Sequence, residues 1–283
     1  MQRVGLIGDP VAHSRSPRMQ QAAFDALHLD LRYELWPTVL ADLPAQIAAM
    51  RTPDVLGANV TIPHKLAVMP LLDDIAAMAE MVGAVNTIMH RDGRLIGDNT
   101  DADGLRMALQ EIGWEDIAQG LVLGSGGAAR AAVIALNRLG ARTVCVMARD
   151  EEAAQNMVAT LAPHVPGTSL LWGRLYGTEG DIWRRMLAHT DILINATPIG
   201  MAASLASPLD EITLDLLRAG TLVVDLITAE TPLIRAAHAR ELPTITGLPM
   251  LLHQGALAFT HWTGQPAPLV VMRAALRKAN LGA

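Results

Sequence analysis

The sequence is poor in aromatic side chains, which make up 3% of its 283 residues: five Trp, two Tyr and two Phe. Hydrophobic residues still account for 51%, so a core of this size must be built mainly from Ala, Leu, Val, Ile and Met. Small aliphatic side chains let helices approach a sheet closely. The composition therefore favours packed layers of helix and sheet, and the length favours two domains.

Cysteine is nearly absent as well. The single Cys145 excludes an intramolecular disulfide, which is typical of a protein from a reducing compartment. It lies inside the apolar run Thr143-Val-Cys-Val-Met147. This context indicates a buried strand residue rather than a reactive thiol.

Long apolar runs, a basic excess and metal-ligand clusters are also missing. No apolar stretch reaches the ~20 residues that a membrane helix needs, so no membrane partner is expected. The chain starts with the strand-like Arg3-Val-Gly-Leu-Ile7 rather than a signal-peptide pattern, which predicts a cytoplasmic location. A net charge of −6 without a basic patch argues against nucleic acid. The histidines are scattered, and their spacing predicts no metal site.

Short apolar runs alternate with helical periodicity along the chain, which is typical of an α/β fold with buried parallel strands. This pattern predicts strands at 4–8, 31–36, 55–60, 84–89, 121–124, 143–147, 191–196 and 221–226. It predicts helices at 17–27, 40–50, 75–81, 101–112, 128–139 and 151–161. The last segment, 249–281, is predicted to be helical with a break near Pro266 and Pro268.

A glycine-rich turn follows one predicted strand and opens a predicted helix. Gly124-Ser-Gly-Gly-Ala-Ala129 has the G-x-G-x-x-A form of the dinucleotide fingerprint. Gly124 permits the tight turn, Gly126 lets the backbone approach a pyrophosphate, and Ala129 lets the helix pack close to the strand. Unpaired N–H groups at the helix start would hold the phosphates. The predicted cofactor-binding residues of this turn are Gly124, Ser125, Gly126, Gly127 and Ala128.

The next predicted strand ends in Ala148-Arg149-Asp150, where the adenosine ribose binds in such folds. Arg149 would accommodate the 2′-phosphate of NADP, whereas an acidic residue would bind the free ribose hydroxyls of NAD. Asp150 can instead be the N-cap of the helix that begins at Glu151, which would leave Arg149 to favour NADP. The sequence favours NADP, with NAD as the alternative.

Polar residues cluster where predicted strands of the N-terminal region end. Ser16 before Pro17 predicts the N-cap and first residue of a helix, and a helix start with the hydroxyls of Ser14 and Ser16 suits a small carboxylate. Lys65 lies just beyond the carboxyl end of a predicted strand, where α/β folds bind ligands. Taken singly, such residues are more often caps or solvated surface side chains.

Two further clusters lie at Gly83-Ala-Val-Asn-Thr87 and Gly97-Asp-Asn-Thr-Asp101. Asn86 and Asn99 carry both donors and acceptors, which suits the recognition of hydroxyl groups. Asp101 can orient Lys65 or exchange a proton with it. Burial of Lys65 would favour the neutral amine and Asp101 would favour the ammonium, so both protonation states stay open. Singly, polar residues beside strand ends are more often turn formers.

Together these motifs resemble the shikimate dehydrogenase family over nearly the whole chain. The resemblance rests on His13-Ser-Arg-Ser-Pro17, Asn59-Val-Thr-Ile-Pro-His-Lys65, Gly83-Ala-Val-Asn-Thr87, Gly97-Asp-Asn-Thr-Asp-Ala-Asp-Gly104, Gly124-Ser-Gly-Gly-Ala-Ala-Arg130, Asn195-Ala-Thr-Pro-Ile-Gly-Met201 and Gly247-Leu-Pro-Met-Leu-Leu-His-Gln254. It implies an α/β substrate-binding domain of residues 1–101 and 248–283, and a Rossmann-type dinucleotide-binding domain of residues 102–247. An active site in the cleft between them would reduce 3-dehydroshikimate to shikimate with NADPH, in a monomer or homodimer.

The resemblance also implies roles for single residues. Lys65 and Asp101 would act at the reacting centre, and Ser14 and Ser16 would bind the substrate carboxylate. The residues implied around the substrate ring are Thr61, Asn86 and Gln254. The residues implied on the cofactor side, with the glycine turn, are Arg149, Thr197, Met201 and Gly247.

The sequence departs from the family pattern in places. Thr228 stands where the family usually has a tyrosine that touches the substrate, and Gln20 and Gln21 replace His-Asn-like residues. The acidic Asp150 is a further departure. These features leave an NAD-dependent quinate/shikimate dehydrogenase as one alternative and a non-catalytic metabolite-binding relative as another.

Overall fold

Residues Met1–Gly104 and Leu251–Ala283 make one structural unit, and residues Leu105–Met250 make a second. The computed structural model describes residues 1–175, 181–201 and 204–278. The unit boundaries at 104 and 251 lie three residues beyond the boundaries of 101 and 248 that the resemblance implies. Each unit contains its own sheet, so the predicted two-part α/β class is confirmed.

The first unit is built on a six-stranded sheet. Its strands are β1 (Gln2–Gly8), β2 (Leu31–Pro37), β3 (Val55–Val60), β4 (Asp74–Ile75), β5 (Thr87–Arg91) and β6 (Arg94–Asp98), in the spatial order β2-β1-β3-β5-β6-β4. Its helices are α1 (Ser16–Ala26), α2 (Leu43–Ala49) and α3 (Ala77–Val82). The chain leaves this unit within α4 (Asp101–Glu111) and returns within α10 (Leu248–Thr263), followed by α11 (Leu269–Lys278).

The segment 84–89 was predicted to be a strand, and only its last three residues are part of one. The strand is β5, which starts at Thr87, and it runs antiparallel to both β3 and β6. Asp92 and Gly93, with φ of 51° and 77°, join β5 to β6 in a tight turn. An Asp-Gly pair with two positive φ angles is a preferred hairpin connection, so the sequence carried a signal for β6 that periodicity alone missed.

Aromatic packing in the first unit involves both phenylalanines of the chain. Phe24 of α1 and Phe259 of α10 stack with their ring centroids 5.5 Å apart, and both are fully buried. Tyr33 and Trp262 form a second, tilted aromatic pair with centroids 6.2 Å apart, and the larger part of this core is aliphatic, as the composition predicted. One of its clusters contains Ile7, Leu43, Ile47, Met50, Val55, Ala58, Val60, Val68, Ala79, Val85, Ile88 and Leu95.

The second unit contains a six-stranded, fully parallel sheet. Its strands are β7 (Gln119–Leu123), β8 (Thr143–Ala148), β9 (Ser169–Arg174), β10 (Ile192–Asn195), β11 (Leu222–Asp225) and β12 (Thr244–Thr246). Its helices are α5 (Gly127–Arg138), α6 (Glu151–Leu161), α7 (Asp181–His189), α8 (Glu211–Leu214) and α9 (Pro232–His238). The order β9-β8-β7-β10-β11-β12 is the 3-2-1-4-5-6 order of dinucleotide-binding folds. The expected Rossmann-type fold is confirmed.

Periodicity missed β9, β12 and the helices α7, α8 and α9. The edge strand β9 shows why, since its Leu171 and Trp172 are 48% and 40% exposed and no buried apolar run marks it. The start of α9 did carry a local signal: Thr231 Oγ1 accepts the N–H of Ile234 at 3.3 Å, and Pro232 follows it. A cap residue before proline is a helix-start signature.

Proline positions shape two other predicted helices. The predicted helix 40–50 is divided into a 3-10 turn, Leu40–Asp42, and α2, which has Pro44 in its first turn. Pro266 and Pro268 lie between α10 and α11, so the predicted break in the last segment is confirmed. In the described part of the chain, no helix combines the length and apolar character needed to cross a bilayer.

Cys145 provides a first test of the packing. It lies on β8 and is 3% exposed, and burial raises the pKa of its thiol to about 12. At mildly alkaline pH the reactive thiolate is then a fraction on the order of 10⁻⁴ of the thiol. We expect a chromogenic thiol reagent to leave the native protein unlabelled over an hour and to label the single thiol once denaturant is added. Full labelling without denaturant would contradict the buried placement.

Candidate active site

Four segments of the first unit bring polar side chains to one edge of its sheet. β1, β3 and β6 run in the same direction, because β6 is antiparallel to β5 and β5 is antiparallel to β3. Their carboxyl ends therefore share one edge, and β5 starts at that edge. The predicted residues that lie just after β1, β3 and β6 or just before β5 are Ser14, Ser16, Thr61, Lys65, Asn86 and Asp101.

Lys65 and Asp101 form an ion pair at this edge. Lys65 Nζ donates a hydrogen bond to Asp101 Oδ2, and the side chains are only 13% and 5% exposed. Limited access to water strengthens attraction between opposite charges. Asp101 is also the first residue of α4, where the helix dipole stabilises a negative charge. The arrangement fixes a cation beside a carboxylate whose own position is set by a helix.

His64 anchors the turn that carries Lys65. Its ring is fully buried and Nε2 lies 2.6 Å from the carbonyl oxygen of Thr38. Because a carbonyl can only accept, Nε2 carries the proton in this contact. The backbone oxygen of Lys65 in turn accepts the N–H of Val85 at 2.8 Å. Both contacts limit how far Lys65 can move.

Asn86 holds the other oxygen of the Asp101 carboxylate. Its Nδ2 donates to Asp101 Oδ1 at 2.8 Å and to Thr100 Oγ1 at 3.0 Å. Its Oδ1 accepts the backbone N–H of Thr100 at 2.8 Å. Gln254 Oε1 lies 3.4 Å from the same Nδ2, so the structure brings together four predicted residues, Lys65, Asp101, Asn86 and Gln254.

Asn99 was expected to suit hydroxyl recognition, and its contacts show a different use. Its Nδ2 donates to the carbonyl of Ala84 at 2.8 Å. Its Oδ1 accepts the backbone N–H groups of Asp101 and Ala102 at 3.0 and 3.3 Å. Asn99 therefore satisfies the otherwise unpaired donors at the start of α4 and fixes the backbone of Asp101.

Gly104 explains how Gln254 reaches this network. A Cβ at Gly104 would lie 2.6 Å from Gln254 Cβ and 2.8 Å from the Gln254 backbone nitrogen. A helix-interior glycine normally costs about 1 kcal/mol relative to alanine, but here it permits close contact with the backbone of α10. Gln254 is 8% exposed, and its Nε2 donates to Leu251 O at 3.0 Å.

Ser16 is the first residue of α1 and not its N-cap, so that expectation was wrong by one residue. Arg15 holds the N-cap position without a side-chain cap bond, and its carbonyl accepts the N–H of Met19 at 3.2 Å. Accepting that first intrahelical bond defines the N-cap. Ser14 Oγ accepts the N–H of Ser16 at 3.2 Å, so the two serines meet at the start of α1. Ser16 is 6% exposed.

Three buried residues without a role in the sequence interpretation join the site: Tyr33, Asn59 and Thr87. Tyr33 Oη donates to Asn59 Oδ1 at 2.7 Å. Asn59 Nδ2 donates to Thr87 Oγ1 and to the carbonyl of Asn86, each at 3.2 Å. Tyr33 lies 26 residues before Asn59, and no local pattern marks the pairing. The folded sheet creates it by placing β2 and β3 on the two sides of β1.

The two glutamines that depart from the family pattern have structural contacts. Gln20 is fully buried and its Nε2 donates to Gly255 O at 2.8 Å, which links α1 to α10. Gln21 Oε1 accepts the N–H of Tyr33 at 3.1 Å, and its Nε2 donates to Leu31 O at 3.1 Å, which links α1 to β2. Both amides thus hold α1, which begins with Ser16.

The glycine turn of the second unit has room for a phosphate group. Gly124 has φ +112°, a conformation that side chains other than glycine rarely adopt. Apart from its two neighbours in the chain, no described residue has an atom within 4 Å of the place where a Cβ of Gly126 would stand. Gly126 is the N-cap of α5 and offers no side-chain cap, so the first N–H groups of α5 are available to an anion. These features fit a pyrophosphate bound by the turn and by Gly127 and Ala128.

The end of β8 distinguishes the two interpretations of Asp150. Asp150 Oδ1 accepts the N–H of Ala153 at 3.1 Å and caps α6, so the helix-cap alternative is confirmed. Arg149 is exposed and makes no hydrogen bond or ion pair with any residue of the described ranges. The guanidinium can therefore meet a phosphate without first breaking an ion pair.

The segment after β10 is held by a buried carboxylate. Asn195 Oδ1 accepts the N–H and the hydroxyl of Thr197 at 3.0 and 2.7 Å. Asn195 Nδ2 donates to Asp225 Oδ1 at 3.1 Å, and Thr231 Oγ1 donates to Asp225 Oδ2 at 2.6 Å. Burial raises the pKa of Asp225, and the hydrogen bonds from Thr231, Ile227 and Asn195 oppose that rise. Thr197 is therefore fixed through a buried network.

Two predicted cofactor-side residues remain, Met201 and Gly247. Met201 lies four residues after Thr197 in the chain, and Gly247 is bonded to the loop that follows Asp225. Met201 N–H donates to Pro198 O at 3.1 Å, and Gly247 N–H donates to Ile227 O at 2.9 Å. A Cβ at Gly247 would stand 2.1 Å from Leu226 O, so only glycine fits there. Thr228, which replaces the family tyrosine, is partly buried in the same loop. Across the described ranges, no group of three His, Cys, Asp or Glu side chains is arranged to hold a metal ion.

Comparison with known proteins identifies the family. The model "Shikimate dehydrogenase substrate binding domain" matches residues 6–88, and the model "Shikimate 5'-dehydrogenase C-terminal domain" matches residues 247–277. A relative named shikimate dehydrogenase (NADP(+)), from Geobacter sp. (strain M21), is 42% identical over 276 residues, which cover 96% of this chain and 93% of the relative. The chain belongs to the shikimate dehydrogenase family.

Solved structures agree with this family. Shikimate 5-dehydrogenase from Thermus thermophilus, in complex with NADP(H) and shikimate, matches with a TM-score of 0.85 and 37% identity over 99% of this chain and 100% of that one. The 5-ketofructose reductase of Gluconobacter sp. strain CHM43 matches with a TM-score of 0.84 and 31% identity over 98% of both chains. Proteins named for different substrates share this fold, so the side chains of the site must decide the substrate.

Proposed function

We propose that the protein is an NADP-dependent shikimate dehydrogenase, which reduces the ketone of 3-dehydroshikimate to the alcohol of shikimate and catalyses the reverse oxidation. The observation that carries this proposal is the Lys65–Asp101 ion pair, which Asn86 holds at the sheet edge. The proposal is further supported by a relative named shikimate dehydrogenase (NADP(+)), which is 42% identical to this chain.

Reduction of a ketone needs a hydride at carbon and a proton at oxygen. When bound, NADPH supplies the hydride. Negative charge then develops on the carbonyl oxygen, and a positioned cation that can also release a proton stabilises it. Lys65 is suited to this task because its ammonium group is nearly buried and held by Asp101. The oxygen gains the proton from Lys65, and the product is a secondary alcohol.

The other groups of the substrate match the rest of the site in chemical type. Ser14 and Ser16, at the start of α1, are the proposed ligands of the carboxylate. Thr61, Asn86 and Gln254 are the proposed ligands of the ring hydroxyls, because each has a side-chain oxygen or amide. A substrate hydroxyl near Asn86 would compete for donors that now bond Asp101 and Thr100.

The cofactor is proposed to bind the second unit through three groups of residues. The turn Gly124, Ser125, Gly126, Gly127 and Ala128 would hold the pyrophosphate, and Arg149 would meet the 2′-phosphate. Thr197, Met201 and Gly247 would line the nicotinamide side. Support for the first two assignments is the open space at Gly126 and the unpaired state of Arg149 among the described residues.

The test is the initial rate of cofactor reduction, followed by absorbance, with shikimate or quinate as the alcohol and NADP or NAD as the acceptor. We expect shikimate with NADP to give the highest kcat/KM. A higher kcat/KM with quinate would contradict the substrate assignment, and a preference for NAD would contradict the cofactor assignment. Absence of turnover with all four pairs would favour a non-catalytic relative.

One of the reasons for considering an NAD-dependent enzyme no longer applies. Asp150 was the acidic residue that could bind ribose hydroxyls, and its carboxylate is bonded within the α6 cap. The likeness to a 5-ketofructose reductase favours one further candidate, reduction of an acyclic or cyclic polyhydroxy ketone without a carboxylate. Assay of 5-ketofructose with NADPH separates that activity from reduction of 3-dehydroshikimate.

Replacing Arg149 by alanine is expected to raise KM for NADP by about 10- to 100-fold, because one charged hydrogen-bonding partner of the phosphate is lost. KM for NAD should change by less than about twofold, since NAD lacks that phosphate. The control is Arg142→Ala, which removes the same charge just before β8. An equal rise for both cofactors would contradict the assignment of Arg149 to the 2′-phosphate.

A cytoplasmic location and a monomeric or homodimeric state complete the proposal. The single cysteine supports a reducing compartment. Light scattering after size-exclusion chromatography measures the mass directly, and a value above that of two chains would contradict the assembly proposed.

A further inference from the structure

A continuous chain of hydrogen bonds runs through the buried side of the site, and its donors all point toward Asp101. Tyr33 Oη donates to Asn59 Oδ1 at 2.7 Å, and Asn59 Nδ2 donates to Thr87 Oγ1 at 3.2 Å. Thr87 Oγ1 donates to Asn86 Oδ1 at 3.0 Å, and Asn86 Nδ2 donates to Asp101 Oδ1 at 2.8 Å. The chain thus ends on the carboxylate that holds Lys65.

Burial gives this chain its strength. None of its five members is more than 6% exposed. In such surroundings each hydrogen bond polarises the next, and an unpaired polar group is costly. The orientations of both amides are also fixed, because Asn86 donates to a carboxylate bonded to Lys65 and Asn59 donates to the carbonyl of Asn86, and both of these groups can only accept.

The first member, Tyr33, also engages the other end of the site. Burial raises the pKa of Tyr33, and a hydrogen bond from the side chain of Ser16 opposes that rise. Ser16 is one of the two serines proposed for the substrate carboxylate. Tyr33 is thus close to Ser16 as well as to Asn59, and the hydrogen-bonded chain itself runs from Tyr33 to Asp101 at the start of α4.

We propose that Tyr33 is a positioning residue for the substrate site. Its hydroxyl fixes the amide of Asn59, and through Asn59 and Thr87 it fixes the amide of Asn86 that holds Asp101. This inference rests on the proposed function. Tyr33 acts through these side chains and without contact with the substrate.

The direct test is Tyr33→Phe, which removes one oxygen and retains the ring beside Trp262, whose centroid is 6.2 Å away. Asn59 Oδ1 then loses the phenol donor, and the side chain is held only through its Nδ2, which donates to Thr87 and to the carbonyl of Asn86. We expect kcat/KM for shikimate to fall about tenfold, as for loss of one buried hydrogen bond. KM for NADP should stay within about twofold of wild type, because the chain does not extend to the glycine turn.

Thr87 supplies a second pair of variants, one link further along. Thr87→Val breaks the chain with little change of shape, and Thr87→Ser keeps the hydroxyl. We expect Thr87→Val to resemble Tyr33→Phe and Thr87→Ser to retain most of the wild-type kcat/KM. In the double variant, Tyr33→Phe should add little to Thr87→Val, because residues in one network are not additive. Full additivity would overturn the positioning role.

Thr221→Val is the matched control for loss of a buried hydroxyl. Thr221 is fully buried and Thr221 Oγ1 donates to Thr190 O at 2.8 Å in the second unit. It should lower Tm without changing kcat/KM for shikimate. All rates are measured well below the lowest Tm. An active wild type with an equally active Tyr33→Phe overturns the role of Tyr33 alone, whereas a wild type inactive on shikimate overturns the proposed function and this inference with it.

Discussion

Replacing Lys65 by alanine is expected to lower kcat by about 10²–10⁴-fold, the usual contribution of a positioned acid or base. The physical reason is that, in the proposed mechanism, the ammonium of Lys65 both stabilises the charge that develops on the reacting oxygen and supplies the proton. KM for shikimate should change much less, because Ser14, Ser16 and the amides of Asn86 and Gln254 remain. Steady-state rates in both reaction directions measure the effect.

The chain offers a simple control, because Lys65 and Lys278 are its two lysines. Lys278→Ala removes the same charge at the end of α11 and should leave kcat unchanged. Because the chain has two lysines, the acetylation of each can be followed separately by mass spectrometry. Shikimate should slow acetylation of Lys65 and leave that of Lys278 unaffected. A Lys65→Ala variant with near wild-type turnover would remove Lys65 from the reaction.

Replacing Asp101 by asparagine is expected to lower kcat/KM by about 10²-fold, the effect of a small misplacement of a reacting group. Asparagine has nearly the same shape, and Asn86 can still donate to its amide oxygen. The ion pair with Lys65 is lost, so the ammonium is no longer held in one place. The rate is measured with saturating NADP across a range of shikimate concentrations.

Asp103→Asn is the control for Asp101→Asn. Asp103 lies in the same first turn of α4, so its loss reproduces the change in helix-dipole interaction, about 0.3–1 kcal/mol. The ion pair of Lys65 is made with Asp101, so Asp103→Asn should keep wild-type kcat/KM. Equal losses in both variants would mean that Asp101 acts by stabilising α4 and not by holding Lys65.

Lys65 and Asp101 should also act as one unit. If Asp101 works only by holding the ammonium, then Asp101→Asn has nothing further to remove once Lys65 is alanine. The double variant should be about as slow as Lys65→Ala alone, since residues that act together are strongly non-additive. If the double variant were about tenfold slower than Lys65→Ala alone, Asp101 would have an independent role in proton transfer.

The sequence predicted the parallel strands β1 and β3 of the first sheet and β7, β8, β10 and β11 of the second, because their apolar runs match buried parallel strands. It missed strands that are only partly buried, and it missed a strand that only a local turn signal marks. The edge strand β9 exposes Leu171 and Trp172, so it lacks the pattern. β6 was missed although Asp92-Gly93 marks its hairpin, which shows that turn chemistry should be weighed with periodicity.

Local residue patterns by themselves determined the α/β class, the helix-opening glycine turn, and the candidates Lys65 and Asp101, because each depends on residues a few positions apart. Only the tertiary structure decided which polar side chains meet. The pairing of Tyr33 with Asn59, the contact of Gly104 with Gln254 and the amide that links Thr87 to Asp101 all join segments distant in the chain. Their geometry depends on strand register and helix packing, which no short stretch of sequence encodes.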